Sequence, residues 1–303
     1  MRDELDVFVE IHILSVFCIE PTRPALGSQR RETAMRIHTC AIAVFVIAFL
    51  LPVAASADDL GVCQSDSKTA PVSAILGACT RLIASGRYAG NDLAVIMLKR
   101  GNAYSNGQDY PRAIADYNEA HRLVPKEPAP LANRATVYRK LKNYGSAIAD
   151  YNEAIRLDPD DAIARGGRGN LYSELKNYDS AIADFNEAIR LAPKYESAFY
   201  NRGNAYAQKG DLDRAVADYS EAIRLDPTFG FAFYNRGNVH FKLKNYDRAI
   251  ADFNEAIRLN PEDAEAFSDR ALAYEAKGDL VRAAADRNAA LNLPRSLPNP
   301  FPH

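Results

Sequence analysis

Three features of the sequence predict an all-α fold, a solenoid of about six stacked helix pairs. The first is repetition. Residues 196–229 read ESAFYNRGNAYAQKGDLDRAVADYSEAIRLDPTF, and residues 230–263 read GFAFYNRGNVHFKLKNYDRAIADFNEAIRLNPED. YNRGN falls on YNRGN and EAIRLDP on EAIRLNP. The second is register: starts at Ala94, Pro128, Ala162, Glu196, Gly230 and Ala264 follow without insertion or deletion. A unit of this length cannot bury its own apolar face, so it needs neighbours on either side. The third is punctuation. Each copy carries a Gly/Asn-bearing turn at its middle (NGQDY, LKNYG, LKNYD, KGDLD, LKNYD, KGDLV) and most close on LDP or a variant. Gly and Asn tolerate the left-handed backbone that ends a first helix, and Pro stops a second.

Taken in order, the chain opens on residues 1–34, which hold Glu10 and His12 inside an apolar stretch. They suit no export signal, and translation is expected to begin at Met35, leaving 1–34 as an untranslated leader. Residues 35–57 combine a short basic start, the apolar run AIAVFVIAFLLPVAASA, and Ala55 and Ala57 in an Ala-x-Ala arrangement. This is the pattern of a secretory signal cleaved after Ala57. The expected location is therefore periplasmic or secreted. The alternative is an uncleaved anchor in the inner membrane, although the run is short for a span. Residues 58–93 are not a full repeat. Ile75, Ala78, Cys79, Leu82 and Ile83 have helical spacing and read as an N-terminal cap for the array. The array occupies 94–293. Residues 294–303, rich in Pro, are expected to be a disordered tail.

Composition narrows the function classes. Thirty-seven basic residues balance 39 acidic ones, so no general attraction to nucleic acid or anionic membrane is implied. The cysteines, Cys18, Cys40, Cys63 and Cys79, form no CxxC pair, and the five histidines are scattered. No metal, cofactor or small-molecule substrate is expected. No nucleophile–base set is visible, so the chain is not expected to be an enzyme. Cleavage after Ala57 would leave Cys63 and Cys79 as the only cysteines. An oxidising envelope would join them, stabilising by about 3 kcal/mol in the chain-entropy model. The other reading is two unpaired thiols.

Several positions agree across five or all six copies. A small residue on the first helix is Gly101, Ala135, Gly169, Gly203, Gly237 and Ala271, followed three on by Tyr104, Tyr138, Tyr172, Tyr206, His240 and Tyr274. The second helix carries Ala113, Ala147, Ala181, Ala215, Ala249 and Ala283, then Tyr117, Tyr151, Phe185, Tyr219 and Phe253, and the units close on Pro125, Pro159, Pro193, Pro227 and Pro261. This pattern resembles the tetratricopeptide repeat. The resemblance implies a right-handed superhelix whose first helices line a concave groove for a protein or peptide partner, acting as a scaffold or adaptor. The sequence departs from the family in having no Trp, and in carrying Arg where Leu usually precedes the small residue.

Three constellations follow. Arg100, Arg134, Arg168, Arg202, Arg236 and Arg270 each precede, by sixteen residues, Asp116, Asp150, Asp184, Asp218, Asp252 and Asp286. Antiparallel helices bring such positions side by side, which predicts a ladder of ion pairs inside the repeats; the other reading is an exposed anion-binding stripe. Asparagines mark the first helices. Asn201, Asn204, Asn235 and Asn238 are similar to those with which related arrays hold a peptide main chain, since an amide both donates and accepts. Equally, they are suited to bonding between neighbouring helices. Aromatic residues Tyr200, Phe231, Tyr234 and Phe241 are expected in the groove or at its edge beside these asparagines, as anchors; packing between repeats is the alternative. The peptide-binding hot spot is expected in copies four and five. Rival functions are a membrane-anchored assembly factor of the envelope, or the substrate-reading subunit of a multi-protein enzyme.

Overall fold

The computed structural model describes Ser56 and residues 58–293. The leader, nearly all of the 35–57 segment and the Pro-rich tail lie outside the described residues. Fourteen helices and no strand occur among those described. The cap is α1 (Asp59–Gln64) and α2 (Val72–Ala84). Six pairs follow: α3 (Gly90–Asn106) with α4 (Tyr110–Leu123), α5 (Ala129–Lys140) with α6 (Tyr144–Leu157), and α7 (Ala162–Glu174) with α8 (Tyr178–Leu191). Then come α9 (Glu196–Gln208) with α10 (Leu212–Leu225), α11 (Gly230–Lys242) with α12 (Tyr246–Leu259), and α13 (Ala264–Ala276) with α14 (Leu280–Asn292). The first pair starts at Gly90, four residues ahead of the periodic boundary. First helices of successive pairs touch one another, whereas second helices of successive pairs do not. The stack therefore curves with its first helices on the inside, and the groove belongs to them.

The mid-repeat turn departs from the sequence reading. Asn was expected to take the left-handed conformation, but that place falls one residue earlier, to Gln108, Lys142, Lys176 and Lys244 with φ between 58° and 62°, and to Gly210 and Gly278. The Asn or Asp that follows caps the second helix. Asp109, Asn143, Asn177, Asp211 and Asp279 each accept from the backbone N–H three residues on. The physical reason is that an N-cap oxygen satisfies a helix N–H that would otherwise go unbonded, a stronger claim on Asn than its tolerance of positive φ.

Five of the six pairs close around an aromatic ring set on the small residue of the first helix; the last carries Arg287 at the ring's place. A Cβ on Gly169 would lie 2.7 Å from the Phe185 ring, and one on Gly203 2.9 Å from Tyr219. Tyr117, Tyr151, Phe185, Tyr219 and Phe253 are almost wholly buried there.

The Arg–Asp ladder is present in all six repeats as bidentate pairs, Nε and Nη2 to the two carboxylate oxygens, between 2.7 and 2.9 Å. Every Asp is buried. The remaining Nη1 reaches back to the previous repeat: Arg168 to Asn152, Arg202 to Asn186 and Arg270 to Asn254 at 2.7 Å, Arg236 to Ser220 Oγ at 2.9 Å, and Arg134 to Asn118. One guanidinium thus ties three helices. The inter-repeat half went unnoticed in the sequence, although an Asn follows each of Asp116, Asp150, Asp184 and Asp252 by two residues.

At the other end, the segment leading into the cap helix is itself helical. A disulfide joins Cys63 on α1 to Cys79 on α2, both fully buried. Asp59 and Arg81 pair beside it at 2.6 and 3.0 Å. Cys63, Ile75, Ala78, Cys79 and Leu82 form one core with Ile96 and Ala103 of α3, which seats the cap on the first repeat.

Candidate functional site: the groove of the first helices

The residues expected to bind a peptide divide between the groove and the seams that join neighbouring repeats. Tyr200 and Tyr234 lie in the seams, 4% and 3% exposed. The Tyr200 ring packs on Phe229 and Tyr219, with centroids 4.7 and 5.9 Å apart, and its hydroxyl accepts from Asn235 Nδ2 at 3.0 Å. Burial pushes the Tyr200 phenol up to about 12, against the opposing effect of the neighbouring Asn204 and Asn235 amides. Tyr234 packs on Phe253 at 6.0 Å and donates to Asp269 Oδ2 at 2.6 Å. The expectation that both rings face the groove or its edge is corrected accordingly. Each has a phenol partner on the next first helix, so the ring stays between repeats.

Asn235, also buried, donates to Asn204 Oδ1 at 2.9 Å, and Tyr219 donates to the same oxygen at 2.7 Å. These bonds follow the inter-helix reading of the asparagines. Asn201, Asn204 and Asn238 are only partly buried, and each keeps one amide atom without a partner: Asn201 Oδ1, Asn204 Nδ2 and Asn238 Nδ2. Phe231 is the exposed aromatic of the set, at 47%, while Phe241 leans on Tyr246 at 5.5 Å.

A cavity of about 390 Å³ opens between α7, α9 and α11. Asn204, Asn235 and Asn238 line it, together with Ser173, Gln208 and Lys242, which the sequence reading missed. Those three sit at the first-helix ends, where residue type varies from copy to copy, so the repeat pattern gave them no weight. Ser173 Oγ is a further buried polar atom without a partner. The arrangement offers hydrogen-bonding groups on three consecutive repeats along one line. Among the described residues no group of His, Cys, Asp and Glu could hold a metal ion, and no helix is long and apolar enough to cross a membrane.

Comparison with known proteins agrees with this architecture. A family model described as TPR repeat matches residues 135–176, 169–210 and 203–244, and one described as Tetratricopeptide repeat matches 231–263. No curated protein matches the chain. Among solved structures, PilW, titled a widely conserved type IV pilus biogenesis factor, aligns with a TM-score of 0.62 at 24% identity, covering 68% of this chain and 96% of PilW. PilF of Pseudomonas aeruginosa aligns with a TM-score of 0.60 at 18% identity, over 64% of this chain and 88% of PilF. A tetratricopeptide repeat protein from Parabacteroides merdae aligns at 0.57 and 20%, over 78% of this chain and 92% of its own. At these identities the likeness is one of fold. With six in-register helix pairs, the small-on-aromatic contact in five of them, and family models on residues 135–263, the array has the tetratricopeptide repeat fold and its middle copies are tetratricopeptide repeats.

Proposed function

We propose that the protein is a non-catalytic scaffold that binds an extended peptide or protein segment in the groove of its first helices, across repeats three to five. The observation that carries this reading is the cavity between α7, α9 and α11, with unpartnered amide atoms of Asn204 and Asn238 among its lining residues. A buried amide without a partner is unfavourable by about 1–3 kcal/mol, and a ligand main chain would relieve that. Phe231, half exposed on the same helix as Asn238, supplies an apolar anchor. The signal pattern at 35–57 and the buried disulfide support a place in the cell envelope, periplasmic or secreted. If 35–57 is retained, the same scaffold is an anchored assembly factor; fractionation of the native protein separates the two.

The test is capture of partners from an envelope extract by the parent protein and by a variant carrying Asn201→Ala, Phe231→Ala and Asn238→Ala. Asn201 Oδ1 and Asn238 Nδ2 lack a partner and Phe231 is half exposed, so the fold should survive, as circular dichroism would show. A protein retained by the parent and lost by the variant places binding in this groove. Equal retention by both refutes the groove assignment. Capture of nothing by either removes the support for a binding role.

A further inference from the structure

The groove asparagines are not equivalent, and the difference follows the aromatic residue on the second helix of the same repeat. In repeat one, Tyr117 donates to Asn102 Oδ1 at 2.8 Å and Asn133 Nδ2 donates to the same oxygen at 3.0 Å. Repeat four repeats this with Tyr219, Asn204 and Asn235, at 2.7 and 2.9 Å. An amide oxygen has two lone pairs, and here both are taken. The oxygen is therefore held toward the seam, and only the NH₂ remains for a ligand.

Repeats three and five carry Phe185 and Phe253 instead, so the second helix offers no phenol to the asparagine beside it, although Asn238 meets the Tyr234 phenol of its own helix. There the amides lie in opposite senses: Asn170 buries Oδ1 and Asn238 buries Nδ2, both without partners. Among the described residues no hydrogen bond holds Asn170 in one orientation, whereas the Tyr234 phenol lies beside Asn238. Repeat two solves the seam without an amide, pairing Thr136 with Tyr151 hydroxyl to hydroxyl at 2.9 Å. Gly167 makes room there, for a Cβ at that position would lie 2.6 Å from the Tyr151 hydroxyl.

We propose that Tyr117 and Tyr219 are positioning residues that fix Asn102 and Asn204 as hydrogen-bond donors, so that these two take main-chain carbonyl oxygens only, while Asn170 takes either a carbonyl or an N–H. This rests on the groove reading above. An extended main chain alternates acceptor and donor. A donor-only asparagine at repeat four therefore selects the register in which a carbonyl meets it, and the neighbouring adaptable amide of Asn170 follows.

Two probes separate the cases: capped tetraglycine, with both carbonyls and N–H groups, and capped tetrasarcosine, whose N-methyl groups leave carbonyls alone. Binding is followed by the side-chain amide resonances of the asparagines in the full chain. In the parent, Asn204 is expected to respond to the two probes alike, and Asn170 to favour tetraglycine. Tyr219→Phe frees one of the two lone pairs, leaving the Asn235 bond, and should shift Asn204 toward the second behaviour and weaken tetrasarcosine there roughly threefold to tenfold, the range for one lost hydrogen bond. Phe185→Tyr should do the reverse at Asn170. If both probes bind but neither variant changes these ratios, the polarity assignment is wrong and the groove stands. If no groove asparagine responds to either probe, the main-chain reading of the groove fails and this inference with it.

Discussion

At the scale of single residues, the ladder arginines carry the most. Arg202 is held by Asp218, reaches back to Asn186, and lies 5.9 Å from the Tyr206 ring centre. Asp218→Ala would strip a mostly buried guanidinium of its carboxylate, and a loss of about 3–5 kcal/mol is expected, measured by denaturant unfolding. Adding Arg202→Leu should recover much of that, because no charge is then left stranded, and the double-mutant cycle gives the coupling. One ladder position breaks its own pattern. Arg100, Arg134, Arg168, Arg202 and Arg270 each have a Tyr four residues on, at 5.9 Å, but Arg236 has His240. His240 is buried, with Asp252 3.9 Å from Nε2 and with Arg236 and Arg248 near. Burial pushes its pKa below the ordinary 6.5, Asp252 opposes this, and the arginines reinforce it. The unfolded chain then binds the proton more readily than the folded one, so stability falls as pH drops below about 6.5. His240→Tyr should remove that part of the acid sensitivity and raise the melting temperature, as scans between about pH 5 and pH 8 would show.

The elements were legible in the sequence to the degree that repetition marks them. Helix order, the pairing of helices and the Arg–Asp ladder all follow from positions that recur every 34 residues. What did not follow is decided by contacts that vary. Tyr200 and Tyr234 share one repeat position yet find different partners, Asn235 and Asp269, and only the packed seam reveals that both are buried. The turn was legible in place but not in detail, since Asn tolerates positive φ better than the lysine or glutamine before it, yet the N-cap role takes the Asn. A lysine in the left-handed region is disfavoured by about 1–2 kcal/mol relative to its right-handed form, and glycine is not. Lys142→Gly, Lys176→Gly and Lys244→Gly should each therefore stabilise, and their sum should approach about 2 kcal/mol after the glycine's greater unfolded-state entropy is deducted. Circular dichroism melts of the single and triple variants check this; destabilisation by any of them would show that the lysine stem supplies packing worth more than the backbone term.

At the scale of the whole molecule, the array is a one-dimensional stack in which each repeat touches only its neighbours. Its two ends are finished differently. At the N-terminal end α1 and α2 cover the first repeat, and the disulfide closes a loop of sixteen residues' separation, a constraint of about 3 kcal/mol. At the other end α14 has no following helix pair among the described residues. Leu280 is 66% exposed, Val281 and Leu291 are each 82% exposed, and Asn288 stands where Asn254 accepts from the next arginine. Packed on one neighbouring repeat among the described residues, the last repeat is expected to open first. Amide hydrogen exchange is expected to be fastest in α14, slower in α13, and slowest in the middle repeats, with α2 and α3 nearly as slow as the middle. Reduction of Cys63–Cys79 should accelerate exchange in α1 and α2 while leaving α14 unchanged, because a stack of neighbour contacts carries the disturbance only one or two repeats inward. If reduction loosened both ends together, the array would behave as one cooperative block, and the seams with their tyrosine–asparagine bonds would have to be stronger couplers than nearest-neighbour contacts alone.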